Sequence, residues 1–384
     1  MTLPNPFPIG LAFNGGPSAP RDGSDIRAHA VASAETAEAW WPWLDAIRQA
    51  DEAGLDFATF DDLWARAGSP GQSALDATLL LARIGPATRR IGLLPAVVVS
   101  TTEPFHVSTA IATLDYVTRG RAGLVPVVPA LPDVDAAVAH AGADSYGLPL
   151  TRDGLYQDAA GAVDGVRRLW DSWEDGAIIR DVATGRFVDR DKLHYVDVKT
   201  PTLSIRGPSI VPRPPQGQPP VAVTWREDGD LAWAARHADI LFVPEPADSA
   251  AWTAQRQALD SAQQQAGRHL APLRYVVDVP VSFDDAADAA APRAGREDAP
   301  HAVQALARRI LAWRDAGFAG VRLHPRDIRR DVAVVTDVLL PLLQDAGLAA
   351  AADIDASFPP ISLRGRLGLA PATNRYATAG QGAR

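Results

Sequence analysis

The 384-residue chain contains no cysteine. Disulfides, thiolate nucleophiles and zinc–thiolate centres are therefore excluded. Its eight histidines include no H-x-H or H-E-x-x-H spacing, so a metal site has no recognisable ligand set. The sequence also lacks G-x-G-x-x-G and the P-loop, the glycine-rich turns that cradle dinucleotides and nucleoside triphosphates. No apolar run approaches the ~20 residues that span a bilayer. MTLPNPFPIGLAF has no basic stretch ahead of its apolar residues, so a signal peptide is not expected and a cytoplasmic location is. Basic residues are in the minority, and the net charge of −9 argues against nucleic acid or an anionic membrane as partner. Any Ser, His and Asp could be nominated as a triad, so none is.

What remains is the composition of a soluble enzyme-sized domain, 47% hydrophobic and 22% charged. Short apolar runs alternate with helical patterns throughout. The expected strands are 8–15, 55–62, 90–100, 121–129, 221–225, 238–244, 274–283 and 320–325. Helices follow them at about 40–54, 74–85, 104–119, 154–170, 231–238, 249–267, 301–317 and 331–347. Near-continuous apolar strands suit a parallel sheet covered on both faces. DEAGLDF, RDAGFAGV and QDAGLAA each end a helix on an acid followed by Ala-Gly, and glycine adopts the left-handed helix cap without steric penalty. A doubly wound open sheet is the rival, but it usually opens on a glycine-rich phosphate turn. The α/β reading is therefore a (β/α)8 TIM barrel, one domain over 1–384, with an insertion at about 172–220 and a C-terminal tail at about 348–384.

Barrel active sites gather at the C-terminal ends of the strands and in the loops that follow. Those positions hold Asn14, Asp61, Asp62, Ser100, Thr101, Thr102, Trp225, Arg226, Glu227, Glu245, Ser282, Asp285, His324 and Arg326. Asp61 and Asp62 are a carboxylate pair on paper, yet neighbours on a strand point to opposite faces, and one can equally cap the next segment. Ser100, Thr101 and Thr102 offer hydroxyls to a phosphate or ring carbonyl, or simply mark a strand meeting its loop. His237 reads as a cation at a helix C-terminus; His324, at a strand end, is the better site histidine. WWPW at 40–43 reads as core or as a subunit contact.

The most specific segment is LWDSWEDGAIIRDVATGRFVDRDKLHYV, residues 169–196, running on into RGPSIVPRPPQGQPPVAV. With ATLDYVTRGRAG at 112–123 and SLRGRLGLAPATNRYA at 362–377, it resembles the flavin-dependent monooxygenases of the bacterial luciferase-like superfamily. The resemblance is to the branch containing nitrilotriacetate, dibenzothiophene-sulfone and long-chain alkane monooxygenases. It implies a TIM barrel with an insertion between helix four and strand five, beside the pocket mouth. Trp170 and Trp173 would anchor that insertion by burial while its charges face water.

The resemblance further implies a flavoprotein: reduced FMN (FMNH2) delivered by a separate NAD(P)H:flavin reductase, O2 as co-substrate, a small organic substrate, and a homo-oligomer, dimer or tetramer. The protein's part is then to bind, orient and exclude water. Carried over residue by residue, the flavin contacts fall on Asp62 (F-x-D), Thr101 (VST) and Tyr156 in helix four, with Arg152 where the family has His or Asn. The phosphate turn G-S-S-E-x-G becomes WREDGD, placing Arg226 and Glu227 where two serines are expected. Strand four carries V-P-V-V-P in place of N-V-V-T-S, with Val125 at the asparagine. Guanidinium groups can replace hydroxyls as phosphate ligands; acids beside a phosphate repel it. Two functions stay open: an FMNH2-dependent monooxygenase with a remodelled phosphate site, and a homologue that has lost flavin and serves as partner subunit or ligand-binding protein.

Overall fold

The computed structural model describes residues 6–13, 41–61, 75–100, 102–128, 151–226, 228–283, 300–348 and 362–377. The barrel strands are β1 (Ile9–Phe13), β2 (Phe57–Phe60), β3 (Gly92–Val98), β4 (Val125–Val127), β9 (Ala222–Thr224), β10 (Ile240–Pro244), β11 (Arg274–Val281) and β12 (Gly320–Pro325). Between β4 and β9 lie two small hairpins, β5 (Ile178–Asp181) with β6 (Arg186–Val188) and β7 (Val198–Lys199) with β8 (Ser204–Ile205). All neighbours in the eight-stranded sheet are parallel, in the order β4-β3-β2-β1-β12-β11-β10-β9. A parallel Leu124–Val221 bridge joins its two edges and closes the barrel. Every strand expected from the apolar runs is present.

Helices α1 (Trp41–Ala53), α2 (Ala77–Ile84), α3 (Pro104–Thr118), α4 (Arg152–Asp171), α5 (Asp228–His237), α6 (Ser249–Gln265) and α7 (His301–Asp315) follow their strands. Gly54, Gly317 and Gly347, the three junction glycines, have φ of 95°, 87° and 72°, so each turn uses the left-handed conformation that glycine allows. One expected helix differs. Residues 331–347 divide into α8 (Ile328–Val334), a π-helical stretch Val335–Leu339 and α9 (Leu340–Asp345). Pro341 has no N–H to return to the preceding turn, and the widened stretch just before it absorbs the mismatch.

Alternation along each strand sends one set of side chains to the helices and the other into the barrel. Ile9, Leu11, Phe13, Ala58 and Phe60 join the helix-facing core, where Trp43 of WWPW is buried edge-on to Phe60. Phe57, Leu94, Ala96, Val98, Val125, Val127, Ile240, Phe242 and Val276 fill the barrel interior. At the N-terminal end of the strands, Leu363, Leu367 and Leu369, around α10 (Leu363–Arg366), close that interior as a plug. A Cβ on Gly92 would lie 2.2 Å from Leu363 Cδ1, so the close seating of the plug requires glycine there.

The insertion leaves α4 at this same end. The Trp170 indole is buried and donates to the Ser108 carbonyl at 3.1 Å, and Trp173 donates to the Ser209 carbonyl at 2.8 Å. Val196, Val198 and Ile205 pack on Leu169 and Phe105, along the outside of α3 and α4. The loop joining β7 to β8 climbs α4 until the Thr202 hydroxyl meets the Asp158 carboxylate. Arg180, Arg186 and Arg190 are exposed. Among the described residues no helix is long and apolar enough to cross a membrane.

Two stability predictions follow from the plugged end. Leu363→Ala empties a fully buried position and is expected to lower unfolding free energy by about 2–5 kcal/mol in urea titrations. Burial pushes the Asp56 carboxyl, which accepts from Ile9 N at 2.9 Å, up to about 6. The folded chain thus holds this proton more tightly than the unfolded chain does. The resulting stabilisation is full below about pH 4 and is lost as pH rises through about 6. Asp56→Asn keeps an acceptor for Ile9, and its stability is expected to fall less across that window, by about 1–3 kcal/mol.

Candidate active site at the barrel mouth

The C-terminal mouth is built where β4, β9, α4 and α5 meet. Thr151 caps α4, its side chain accepting from Gly154 N, and so places Arg152 and Tyr156 on the first turns above the mouth. The Tyr156 hydroxyl donates to Asp230 Oδ1 at 2.9 Å. Arg152 Nη2 donates to the same hydroxyl at 3.3 Å, and its guanidinium sits 5.3 Å from the ring centroid. From the end of β9, Arg226 N donates to Asp230 Oδ2 at 2.9 Å while its Nη2 reaches the Val128 carbonyl at 3.3 Å. Gly229 permits this approach, since a Cβ there would lie 2.5 Å from the Tyr156 ring.

Asp230 is buried and accepts from both sides, so its charge is engaged. Burial, reinforced by Asp230, pushes the Tyr156 hydroxyl well above the ordinary tyrosine range, and it stays a donor. Two guanidiniums thus stand at the rim, Arg152 over Tyr156 and Arg226 beside Asp230, and the Arg226 side chain is 46% exposed. That arrangement suits an anionic group arriving from solvent.

A second polar cluster crosses the barrel interior below the mouth. Arg322 on β12 is only 2% exposed. Its Nε and Nη2 donate to Asp278 Oδ1 and Oδ2 on β11, each at 2.7 Å. Nη1 donates to Thr59 on β2 at 3.2 Å and Nη2 to Thr224 on β9 at 3.1 Å. The guanidinium carbon lies 3.6 Å from the centroid of the Phe242 ring on β10. His324, two residues further along β12, directs Nε2 to Asp278 Oδ1. Burial pushes the Asp278 carboxyl up, but Arg322 and the His324 bond outweigh it and hold the group well below the usual carboxylate range.

Of the residues singled out from the sequence, Arg152, Tyr156 and Arg226 come together around Asp230. Asp62, Thr101 and Glu227 lie outside the described residues, as do Asn14 and Asp285. Ser100 is buried and its hydroxyl is 3.4 Å from the Leu155 carbonyl, bracing β3 against α4. Glu245 pairs with Arg309. His237 ends α5 as expected but is not a cation there: burial and then the Arg167 guanidinium push it down to about 4. Among the described residues no cluster of His, Asp or Glu is arranged to hold a metal ion.

Three contributors escaped the sequence reading. Asp230 could have been found as an acid in the first turn of α5, four residues after Arg226. Arg322 in GVRLHP and Asp278 in RYVVDVPVSF are lone charges inside apolar strands, a signal in themselves.

A closed parallel barrel with its polar groups gathered at the C-terminal mouth is the architecture of a (β/α)8 enzyme. The chain belongs to the luciferase-like monooxygenase family, whose pattern it matches over residues 24–337. N-acetyl-S-(2-succino)cysteine monooxygenase of Bacillus subtilis (strain 168) is 32% identical over 229 residues, 60% of this chain and 48% of that protein. Nitrilotriacetate monooxygenase component A of Aminobacter aminovorans is 31% identical over 219 residues, 53% of this chain and 47% of that protein. The chain thus matches about half the length of these relatives. The crystal structure of a long-chain alkane monooxygenase superposes with a TM-score of 0.74 at 16% identity, covering 95% of this chain and 96% of that one, which shows the shared fold.

For the phosphate of FMN, the cofactor this family implies, the rim offers guanidinium groups. Arg152 and Arg226 would take the phosphate, with the Tyr156 hydroxyl beside them, while Val98, Val125 and Val127 offer an apolar interior wall. The Asp230 carboxylate already accepts from the Tyr156 hydroxyl and the Arg226 amide. Tyr156→Phe removes one donor from buried Asp230 and is expected to destabilise the fold by about 1–3 kcal/mol, read from denaturant unfolding.

Proposed function

We propose that the protein is an FMNH2-dependent monooxygenase that acts with O2 on a small organic molecule, its reduced flavin supplied by a separate reductase. The observation that carries this reading is the convergence of Arg152, Tyr156 and Arg226 on Asp230 at the mouth of a luciferase-like barrel. When bound, reduced flavin supplies the electrons that activate oxygen. The chain's own residues bind and enclose it. Arg226 and Arg152 meet the phosphate with charge-assisted bonds, while Tyr156 stays protonated and donates to Asp230, holding the cluster together. Asp62, Thr101 and Glu227 are the further flavin contacts that family membership suggests. Supply by a separate reductase is supported by the naming of the nitrilotriacetate relative as component A of its enzyme.

Titration of the purified chain with FMN, oxidised and then reduced, tests this through flavin fluorescence and absorbance. Saturable binding is expected. Arg226→Ala is expected to weaken it by an ion-pair-sized amount, about 2–5 kcal/mol. Failure to saturate at tens of micromolar in either redox state would favour the flavin-free homologue, and an unchanged Arg226→Ala affinity would remove that residue from the phosphate site.

A further inference from the structure

We propose that His324 is the proton acceptor of the barrel mouth, taking a proton on Nδ1 from an O–H or N–H group of a small organic ligand. Asp278 sets the imidazole's tautomer and Arg322 keeps Asp278 ionised. Nothing in the rim site requires these three residues. Around the barrel, β12 lies three strands from β9, so His324 faces the mouth across from the Arg226 rim.

The argument starts from Arg322. A buried guanidinium is tolerated only when its donors are met, and here they meet Asp278, Thr59 and Thr224. Apolar side chains would fill the same layer at no cost in desolvation. The ion pair does something apolar packing cannot: it fixes an ionised carboxylate inside the barrel. An ionised carboxylate only accepts hydrogen bonds, so the His324 nitrogen facing Asp278 Oδ1 must carry the proton. Nε2–H is thereby specified, and in the neutral ring the lone pair is left on Nδ1. No described residue donates to Nδ1, while the His324 side chain is 26% exposed, against 2% for Arg322 beneath it.

The step balances without a further reactant. The ligand's X–H bond breaks, its electron pair stays on X, and the proton bonds to Nδ1. The imidazolium so formed donates from Nε2 to the Asp278 carboxylate, whose negative charge offsets it. Solvent at the mouth takes the proton afterwards. Asp278 and Arg322 are positioning residues; His324 alone touches the ligand. The preferred ligand is a small molecule with an ionisable O–H or N–H. This assignment rests on the proposed function only in placing the chemistry at the mouth.

The test uses the full chain labelled with 15N-histidine, at mildly alkaline pH. Ring signals that vanish in His324→Gln identify His324, and they are expected to report the Nε2–H tautomer. Asp278→Asn is expected to move them toward Nδ1–H, a change that loss of packing alone does not produce. Diethyl pyrocarbonate, read by peptide mass spectrometry, is expected to label His324 within about tenfold of the rate at exposed His301, and at least tenfold more slowly in Asp278→Asn. An Nδ1–H tautomer in the unmodified chain overturns the proposal. So does an unlabelled His324 once His106 and His301 have reacted fully. If Asp278→Asn does not fold, these two wild-type observations still decide. A failed flavin titration leaves all these signals in place, so the two readings fall separately.

Discussion

One guanidinium ties the barrel together from inside. Arg322 on β12 bonds to β11, β2 and β9 and stacks against a ring on β10, so a single side chain spans five of the eight strands. A charge this deep in an apolar layer is tolerated only because every direction offers a partner. The same demand fixes the strand register. Asp278 must stand opposite Arg322, as it does in the β11–β12 ladder, and a one-residue slip of β12 would turn Arg322 toward the helices. The layer separates an apolar floor, sealed by Leu363 and Leu367, from a polar mouth.

The mouth is organised by a second carboxylate. Asp230 receives the Tyr156 hydroxyl from α4 and the Arg226 amide from β9, joining the two edges of the sheet just above the Leu124–Val221 bridge. Both polar centres follow one logic: a buried acid gathers donors from elements far apart in sequence and leaves a cation or a lone pair facing solvent.

Much of the architecture was legible because it depends on local properties. Apolar runs mark the eight strands, and the three Ala-Gly junctions mark helix ends whose glycines take positive φ. Arg152 and Tyr156 were singled out through family resemblance, and Arg226 through that and its place at a strand end; the structure brings the three together at the mouth. Asp230, Asp278 and Arg322 were missed because their meaning is non-local. Tyr156 and Asp230 are 74 residues apart, Asp278 and Arg322 are 44, and only the closed sheet makes them neighbours. His237 misled for the same reason: its helix position suggests a cation, while burial and then Arg167 from α4, both invisible in the local sequence, push its pKa down. The π-helical stretch before Pro341 is a local feature that helical periodicity smooths over.

The dependence of this fold on its interior ion pair is tested most directly by a double-mutant cycle on unfolding, combining Arg322→Met with Asp278→Leu. Arg322→Met leaves the Asp278 carboxylate with His324 alone and Asp278→Leu leaves the Arg322 guanidinium with two hydroxyls, and each is predicted to lower stability by about 3–5 kcal/mol. The double change removes both groups, so its loss should be far smaller than the sum, with a coupling of about 2 kcal/mol or more. Losses that simply add would contradict the account, because the two groups would then not be holding the barrel interior as a pair.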